Sequence, residues 1–419
     1  MTAPRALAAR PRNGPVATTA SRRRVVRGLA RLAVVLIAAG CLVPTALSAA
    51  AATSEVVDTP LGFEDARCAV PVPESRLGDV QCGYLTVPER RAADADPARK
   101  IRLPVAVIRS RSAERVTDPL VVPTAGTADG SSIGALAYFL ARPAWVGERD
   151  VVLVEQRGGI HAEPSLDCVE LDGVPEPSQR LARLRECHDR LLGEGIDPAA
   201  YSSAASAADL GDLHLALGYD TWNLYGAGEA SRLALAVMRD HPAGLRSVIL
   251  DGPQPLDVDL SAVLPTGVEA ALDALVADCR SDPACRARYP DLAASLAAAI
   301  ERADREPLTV VVDDDALRSS VAVTSDGAGV VDALVSALQD PRTAPAVPYV
   351  IDRLAHGDAD AALPLVQRRV DAAGLPAEGL GLSIACSEEV PFHDPAALEL
   401  AQSSSPVAAH VTDAASTAA

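Results

Sequence analysis

One short window of the chain has the spacing of a catalytic turn between a strand and a helix. It reads Gly226-Ala227-Gly228-Glu229-Ala230, after an expected strand at Trp222–Tyr225 and at the start of an expected helix at Glu229–Arg239. A nucleophilic serine in such a strained turn needs small residues two positions away on each side. Gly226 and Ala230 are small, but the serine position is Gly228. Glycine adopts strained backbone angles at little cost and carries no oxygen, so the window predicts a retained turn without a nucleophile.

Two neighbouring side chains could replace the missing serine. Ser231 lies one helical turn beyond Gly228, and Glu229 would be flanked by small residues if the frame slid by one position. A carboxylate nucleophile is chemically feasible. The alternatives, which we favour, are a helix-surface hydroxyl for Ser231 and a first-turn acid stabilised by the helix dipole for Glu229.

The turn requires a sheet behind it, and the surrounding sequence predicts one. β-Branched and continuous apolar runs predict strands at Ile101–Arg109, Pro119–Pro123, Asp150–Glu155, Trp222–Tyr225 and Arg246–Leu250. One helical pattern, Ser206–Leu217, precedes the strand at Trp222–Tyr225, and a second, Glu229–Arg239, separates that strand from the next one. This alternation is typical of a mostly parallel sheet with helices on both faces, an α/β fold.

The character of the chain changes between residues 256 and 378. Alanine-rich helices are predicted there, with one short strand at Leu308–Val312; the helices are Thr266–Arg280, Leu292–Arg305, Val330–Leu338 and Pro348–His356. We interpret this region as a helical cap. The predicted organisation is a signal peptide (1–52), the first part of the core (53–255), the cap (256–378), and an incomplete return segment with a frayed tail (379–419).

Residues 209–226, with the sequence DLGDLHLALGYDTWNLYG, resemble a known family. That family is the exported tripeptidyl aminopeptidase and proline iminopeptidase group of α/β-hydrolases, common in actinobacteria, whose strand ends in Tyr-Gly-Gly-Ser-Tyr-Gly. Further matches in the same order are Glu155–Gly158 with Pro164–Cys168, Val248–Gly252 and Ile384–Phe392. The resemblance implies an α/β-hydrolase sheet with a helical cap. If the chemistry of the family persisted in this chain, the resemblance implies hydrolysis of an N-terminal peptide or amide bond through a serine acyl-enzyme, without metal or cofactor.

The remaining machinery departs from that family. Its Gly-Gly-Pro-Gly oxyanion run corresponds here to PTAGTADG at 123–130, which places Gly126 and Thr127 at the oxyanion positions and adds Asp129. In this fold the acid and the histidine follow the nucleophile, after the cap. We expect the family's last strands and both groups to be missing, because none of the seven histidines has a strand–Gly-His context. Together with Gly228 at the nucleophile position, these departures from the family predict a hydrolase relative that is catalytically inactive.

The N-terminus has the order of an export signal. Arg22–Arg24 precede the apolar run Leu32–Val43, and the small residues Ala46–Ala52 follow, so we expect cleavage near 48–52. The arginines also fit a twin-arginine signal loosely, which leaves two export routes open. The stretch Ala38–Cys41 resembles a lipobox, so a lipoprotein attached to the membrane at Cys41 is an alternative to a secreted protein.

Export makes disulfides feasible. Short spacings suggest the pairs Cys68–Cys82, Cys168–Cys187 and Cys279–Cys285, whereas Cys386 has no mate. No pair has the Cys/His spacing of a zinc site.

The charge balance excludes one class of partner. The 419 residues carry a formal net charge of −18, so there is no cationic surplus to meet nucleic-acid phosphates. Outside the N-terminus no apolar run is long enough for a polytopic membrane protein.

These residues support a ranked set of functions. The first is an exported, catalytically inactive relative of serine aminopeptidases that binds a peptide or small hydrophobic ligand under its cap and needs no cofactor. The second is an active hydrolase with Glu229 or Ser231 as a relocated nucleophile. The third is a non-enzymatic binding protein or a pseudogene product.

Overall fold

The structure is a computed structural model that describes residues 62–411 except 93–94, 97, 124–130, 172–176, 315–318 and 368–376. The predicted signal peptide, Cys41 and the end of the tail lie outside the described residues. The strands are β1 Gly62–Asp65, β2 Val80–Pro88, β3 Lys100–Ile108, β4 Leu120–Pro123, β5 Val151–Val154, β6 Trp222–Ala227, β7 Leu245–Asp251, β8 Leu308–Asp314 and β9 Ser319–Ser325. The helices are α1 Leu136–Leu140, α2 Pro143–Val146, α3 Pro177–Gly193, α4 Ser203–Ala216, α5 Ala230–Asp240, α6 Leu260–Ser281, α7 Pro283–Arg288, α8 Leu292–Arg305, α9 Gly327–Leu338, α10 Val347–Ala355, α11 Glu378–Glu388 and α12 Pro395–Gln402.

Seven strands form one mixed sheet in the order β1-β2-β3-β5-β4-β6-β7. Strands β4, β5, β6 and β7 run parallel, whereas β3 is antiparallel to both β2 and β5. This sheet, with helices on both faces, has the predicted α/β-hydrolase-type fold. Because these four strands are parallel, their carboxyl ends lie on the same side of the sheet, and ligand sites of open α/β sheets lie just beyond those ends.

Successive side chains of a strand point to opposite faces of the sheet, and different helices cover these two faces. In β3, Val105 and Val107 pack into the core that contains α4 and α5, whereas Ala106 and Ile108 pack into the core that contains α1. All four side chains are almost fully buried. This two-sided burial explains why β3 has a continuous apolar sequence.

Helices α6 to α10 and the antiparallel hairpin β8–β9 form a cap with its own hydrophobic core. The sequence analysis expected one strand here and missed β9, whose sequence SSVAVTS has a short apolar run between small polar residues and no alternation. Helix α6 has the length and the mean hydropathy, 1.5, of a membrane span, by length and composition only. A single helix of this kind is weak evidence for a membrane span; 22% of its apolar window is buried, and it contributes Val268, Leu272 and Cys279 to the cap core.

The described residues after the cap, 378–411, are helical and add no strand to the sheet. Leu380 and Ile384 of α11 pack into the sheet core, and the Gly379 N–H donates to the Leu166 carbonyl at 3.0 Å. Helix α12 packs against α6, and Val411 lies in the cap core. The segment therefore joins the sheet and the cap.

Three disulfides join the pairs that short spacing suggested: Cys68–Cys82, Cys168–Cys187 and Cys279–Cys285. Cys386 is a free, exposed thiol. Disulfides of this kind are typical of proteins in oxidising compartments.

Candidate functional site

The strand-to-helix turn at Gly228 is retained. Strand β6 ends at Ala227 and α5 begins at Ala230, and Gly228 between them has φ +52°. The Gly228 N–H donates to the carbonyl of Asp251, at the end of β7, at 2.8 Å. A Cβ on Gly226 would lie 2.7 Å from the Ala230 carbonyl oxygen, so the first small residue of the window is sterically required. The turn therefore has the backbone of a nucleophile turn, but no nucleophile stands on it.

Ser231 is fully buried, so the prediction that it lies on the helix surface is wrong. Its Oγ donates to the Gly228 carbonyl at 2.5 Å and accepts from the Gln254 N–H at 2.9 Å. Both bonds tie the first turn of α5 to its surroundings, one to the strand-to-helix turn and one to the segment after β7. The hydroxyl proton is held by a carbonyl rather than by a base, so Ser231 is placed for a structural role.

Glu229 occupies the N-cap position of α5 with ordinary helical angles, φ −63° and ψ −31°. The left-handed residue of the turn is Gly228, so the frame is not shifted to put Glu229 at the apex. Glu229 is half-buried, and its side chain makes no capping hydrogen bond. Its position agrees with an acid near the positive end of the helix dipole.

Arg232 is a feature of the turn that the sequence analysis missed. It lies in the first turn of α5 and is only 5% exposed. Its Nη2 is 3.4 Å from Glu389 Oε1, while Nε and Nη1 are buried without a hydrogen-bond partner. Leaving a buried donor unsatisfied costs about 1–3 kcal/mol. A cation near a helix N-terminus is also electrostatically unfavourable, which is the one sequence signal that could have singled Arg232 out.

The predicted oxyanion positions, Gly126 and Thr127, lie outside the described residues. The residues that follow them are held by Glu155, at the end of β5, which accepts from Ser131 Oγ at 2.5 Å and from the Ile133 N–H at 3.3 Å. Burial raises the pKa of Glu155, and these two hydrogen bonds offset only part of that effect. Its Oε1 is buried without a hydrogen-bond partner.

A second acid, Asp251, borders the turn. Its Oδ2 accepts from the hydroxyl of Tyr225 at 2.8 Å. Burial, together with this carboxylate, raises the pKa of Tyr225 to about 12, so the phenol keeps its proton at neutral pH. The Trp145 ring packs edge-on against Tyr225, with 5.4 Å between the ring centroids.

Two histidines form Asp–His pairs that the sequence analysis did not foresee. His393 Nδ1 is 3.0 Å from Asp259 Oδ2, and His410 Nε2 is 2.9 Å from Asp304 Oδ2. Both pairs join the segment after α11 to the cap. Neither histidine is a hydrogen-bond partner of Ser231 in the described part of the chain. The pairs therefore act as ties between segments, and they do not complete a serine–histidine arrangement at the turn.

Two cavities among the described residues are too small to enclose a ligand. One lies within the cap core between β8, α9 and α10, the other beside Gln156 and Ser206, and each holds about 10 Å³. That volume accommodates about one water molecule.

One cluster in the described part of the chain has the spacing of a metal site, Cys168 with Glu170 and Cys187. The two sulfurs are bonded to each other and are not available as thiolate ligands. Glu170 accepts from Arg190 instead, at 2.6 Å. The cluster is a disulfide with an adjacent ion pair.

Comparison with known proteins gives a distant relationship. No protein-family model matches the chain. It is 26% identical over 230 residues to the serine protease Hip1 of Mycobacterium tuberculosis, and the match covers 50% of this chain and 43% of Hip1. The same values hold for Hip1 of Mycobacterium bovis. The chain therefore spans less than half the length of the curated relatives it matches.

Solved structures with some likeness include two hydrolases. An α/β hydrolase from Novosphingobium aromaticivorans is 13% identical, with coverage of 59% of this chain and 69% of that chain and a TM-score of 0.27. The esterase EaEST from Exiguobacterium antarcticum is 15% identical, with coverage of 46% and 57% and a TM-score of 0.24. The fold described above rests on the strand order and the packing of this chain.

Proposed function

We propose that the chain is an exported relative of serine aminopeptidases that binds its ligand without hydrolysing it. The observation that carries this proposal is Gly228, which keeps the turn at φ +52° and offers no side-chain oxygen. The hydroxyl of Ser231, the candidate replacement one helical turn away, is buried and committed to two hydrogen bonds. Removing the nucleophile of a serine hydrolase leaves only binding and oxyanion contributions.

Three further observations support the family and the compartment. The sequence similarity to the serine protease Hip1 agrees with a hydrolase ancestry. The resemblance to tripeptidyl aminopeptidases suggests a peptide, or a small hydrophobic molecule, as the ligand. The three disulfides and the basic-apolar-small order of residues 22–52 support export, as a secreted or lipid-anchored envelope protein.

An assay of the purified exported protein tests whether it turns over substrate. Aminoacyl and acyl ester chromogenic substrates are incubated with the wild type, Glu229→Gln and Ser231→Ala. We expect no turnover above the buffer rate for all three proteins. Turnover in the wild type that disappears in Glu229→Gln would show a relocated carboxylate nucleophile and overturn the proposal. Turnover lost in Ser231→Ala, with the variant still folded by circular dichroism, would do the same for Ser231.

The export proposal has its own measurement. Mass spectrometry of the protein from culture medium and from the membrane fraction should give a mature N-terminus near 48–52. A lipid-modified N-terminal Cys41 would establish the lipoprotein alternative. An intact N-terminus at Met1 on protein retained inside the cell would contradict export.

A further inference from the structure

We propose that residues 386–411 form a strap that closes along cap helix α6 in acid and loosens above neutral pH. The proposal goes beyond the proposed function and does not depend on whether the chain is catalytic. Three features carry it: the strap buries almost no side chain, polar contacts hold it to the cap, and a histidine stands at two of these contacts.

The strap has little hydrophobic anchoring. No residue from 386 to 407 is buried, and α12 packs against α6 without a buried residue of its own. Phe392 and Leu400 are 78% and 74% exposed. Buried residues begin again only with Ala408 and with Val411, which lies in the cap core. A segment with so few buried apolar contacts opens at a small fraction of the free energy of global unfolding.

Side-chain hydrogen bonds fasten the first part of the strap to α6. Asp259, the N-cap of α6, accepts from the Asp394 N–H at 2.9 Å and lies 3.0 Å from His393 Nδ1. Further along, Ser404 Oγ donates to Glu269 Oε2 of α6 at 2.9 Å. The strap therefore follows the first half of α6 and is held there by polar groups.

The last contact, at His410, shows which protonation state the closed strap favours. Its Nε2 lies 2.9 Å from Asp304 Oδ2, and its Nδ1 lies 2.5 Å from the carbonyl oxygen of Pro406. An ionised carboxylate and a carbonyl only accept hydrogen bonds, whereas a neutral imidazole has a single N–H to donate. Only the imidazolium satisfies both oxygens, so loss of the proton removes one of the two hydrogen bonds.

The charged groups around the two histidines also favour imidazolium. On the elements around His410 the acids are Asp304, Asp326 at the N-cap of α9, Glu269 and Glu399, and the α8 arginines Arg302 and Arg305 lie beside Gly357 and Glu301. Those around His393 are Asp259, Glu388 and Glu389, the last of which pairs with Arg232. Burial alone would raise the pKa of Asp259, but hydrogen bonds from the Asp394 N–H, His393 and the Ala262 N–H lower it, so this carboxylate stays ionised near neutral pH.

The sign of the pH dependence follows from these contacts. A histidine in water changes its charge near about pH 6.5. Because the closed strap favours the imidazolium, its extra stability is complete below that pH and is lost as the pH rises above it. The side chains of His393 and His410 are 17% and 22% exposed, so water screens both pairs. Each pair should therefore change the equilibrium between closed and open strap by only about two- to fivefold.

Release of the strap would alter the surface of the cap. Helix α6 is apolar along its length, and only 22% of its apolar window is buried with the strap closed. Opening removes α12 from this helix and so adds to the exposed apolar surface. The strap thus makes access to the apolar side of the cap dependent on pH.

Hydrogen–deuterium exchange followed by mass spectrometry tests the proposal on the exported protein. Dividing the measured exchange rate by the intrinsic rate at each pH gives an opening constant for peptides within 387–407. We expect this constant to be about tenfold larger at about pH 8 than at about pH 5.5, because the two pairs act independently. Peptides from the buried side of α6 should change much less.

Two substitutions and a matched control assign the effect to the histidines. His393→Gln and His410→Gln each remove the titrating ring and keep a side-chain N–H donor. The control is His356→Gln, because His356 is an exposed histidine of the cap whose Nδ1 contacts the Asp352 carbonyl and no strap residue. Each single variant should keep a pH dependence of about threefold, and the double variant should lose it. His356→Gln should behave as the wild type.

An opening constant in the wild type that is equal at the two pH values would overturn the proposal. An unchanged pH dependence in the folded double variant would do so as well. The wild type alone supplies a further check: exchange within 387–407 as slow as that of buried α6 amides would show that the strap opens only with the whole cap. None of these results bears on ester turnover, so the strap and the proposed function are tested separately.

Discussion

The substitution Gly228→Ser returns an oxygen to the apex of the strand-to-helix turn. Gly228 has φ +52°, and an L-residue with a Cβ pays about 1–2 kcal/mol in that left-handed region. We expect a loss of stability of about 1 kcal/mol, which corresponds to about 2 °C in the unfolding temperature of a chain of this length. The matched control is Gly252→Ser, because Gly252 has φ +61° and a Cβ there meets nothing within 4 Å. The two variants should therefore lose similar stability in scanning calorimetry.

The restored serine should remain inert. A serine hydroxyl needs a base to accept its proton, and the described Asp–His pairs of His393 and His410 tie the C-terminal segment to the cap. We expect Gly228→Ser to hydrolyse aminoacyl esters at the wild-type background rate and to resist an organophosphonate label. Stoichiometric labelling, or turnover above that of Gly252→Ser, would show that a base does reach the turn. Either result would refute the argument that this chain lacks more than the serine.

Two further predictions concern stability. Ser231→Ala leaves the Gln254 N–H and the Gly228 carbonyl without their hydroxyl partner, so the free energy of unfolding in urea should fall by about 1–3 kcal/mol. The exposed helical control Ser387→Ala should change it by less than about 0.5 kcal/mol, and an equal effect of the two would contradict the structural role of Ser231. Burial alone would raise the pKa of Asp150, but the hydrogen bonds from Arg115, the Ser110 N–H and Arg109 lower it to about 2. Because the folded pKa lies below the unfolded one, this carboxylate stabilises the fold above about pH 4. About 2 kcal/mol should be lost between about pH 4 and pH 2. In Asp150→Asn the free energy of unfolding, measured in urea, should change less with pH in that interval than in the wild type. An equal pH dependence in the two proteins would show that other groups govern acid unfolding.

Much of the fold could be predicted because its signals are local. The five predicted strands of the core correspond to β3, β4, β5, β6 and β7, since short apolar or β-branched runs between turn residues predict strands, whereas β1 and β2 were not predicted. The alanine-rich helix predicted at Leu292–Arg305 is α8. Short spacing suggested the three disulfide pairs, because a small loop brings its two cysteines close together in the chain. Strand β9 was missed because its sequence carries little apolar periodicity and its partner β8 stabilises it.

The sequence by itself determined that the turn of a nucleophile is present and that its oxygen is absent, because both follow from residue types at fixed spacing. Only the tertiary structure decided what surrounds that turn. Ser231 accepts a hydrogen bond from Gln254 in the segment after β7, and Arg232 pairs with Glu389, which is more than 140 residues away in the chain. The pairing of His393 with Asp259 likewise joins residues 134 positions apart. Contacts of this range leave no periodicity in a local window, so their partners are known only once the chain has folded.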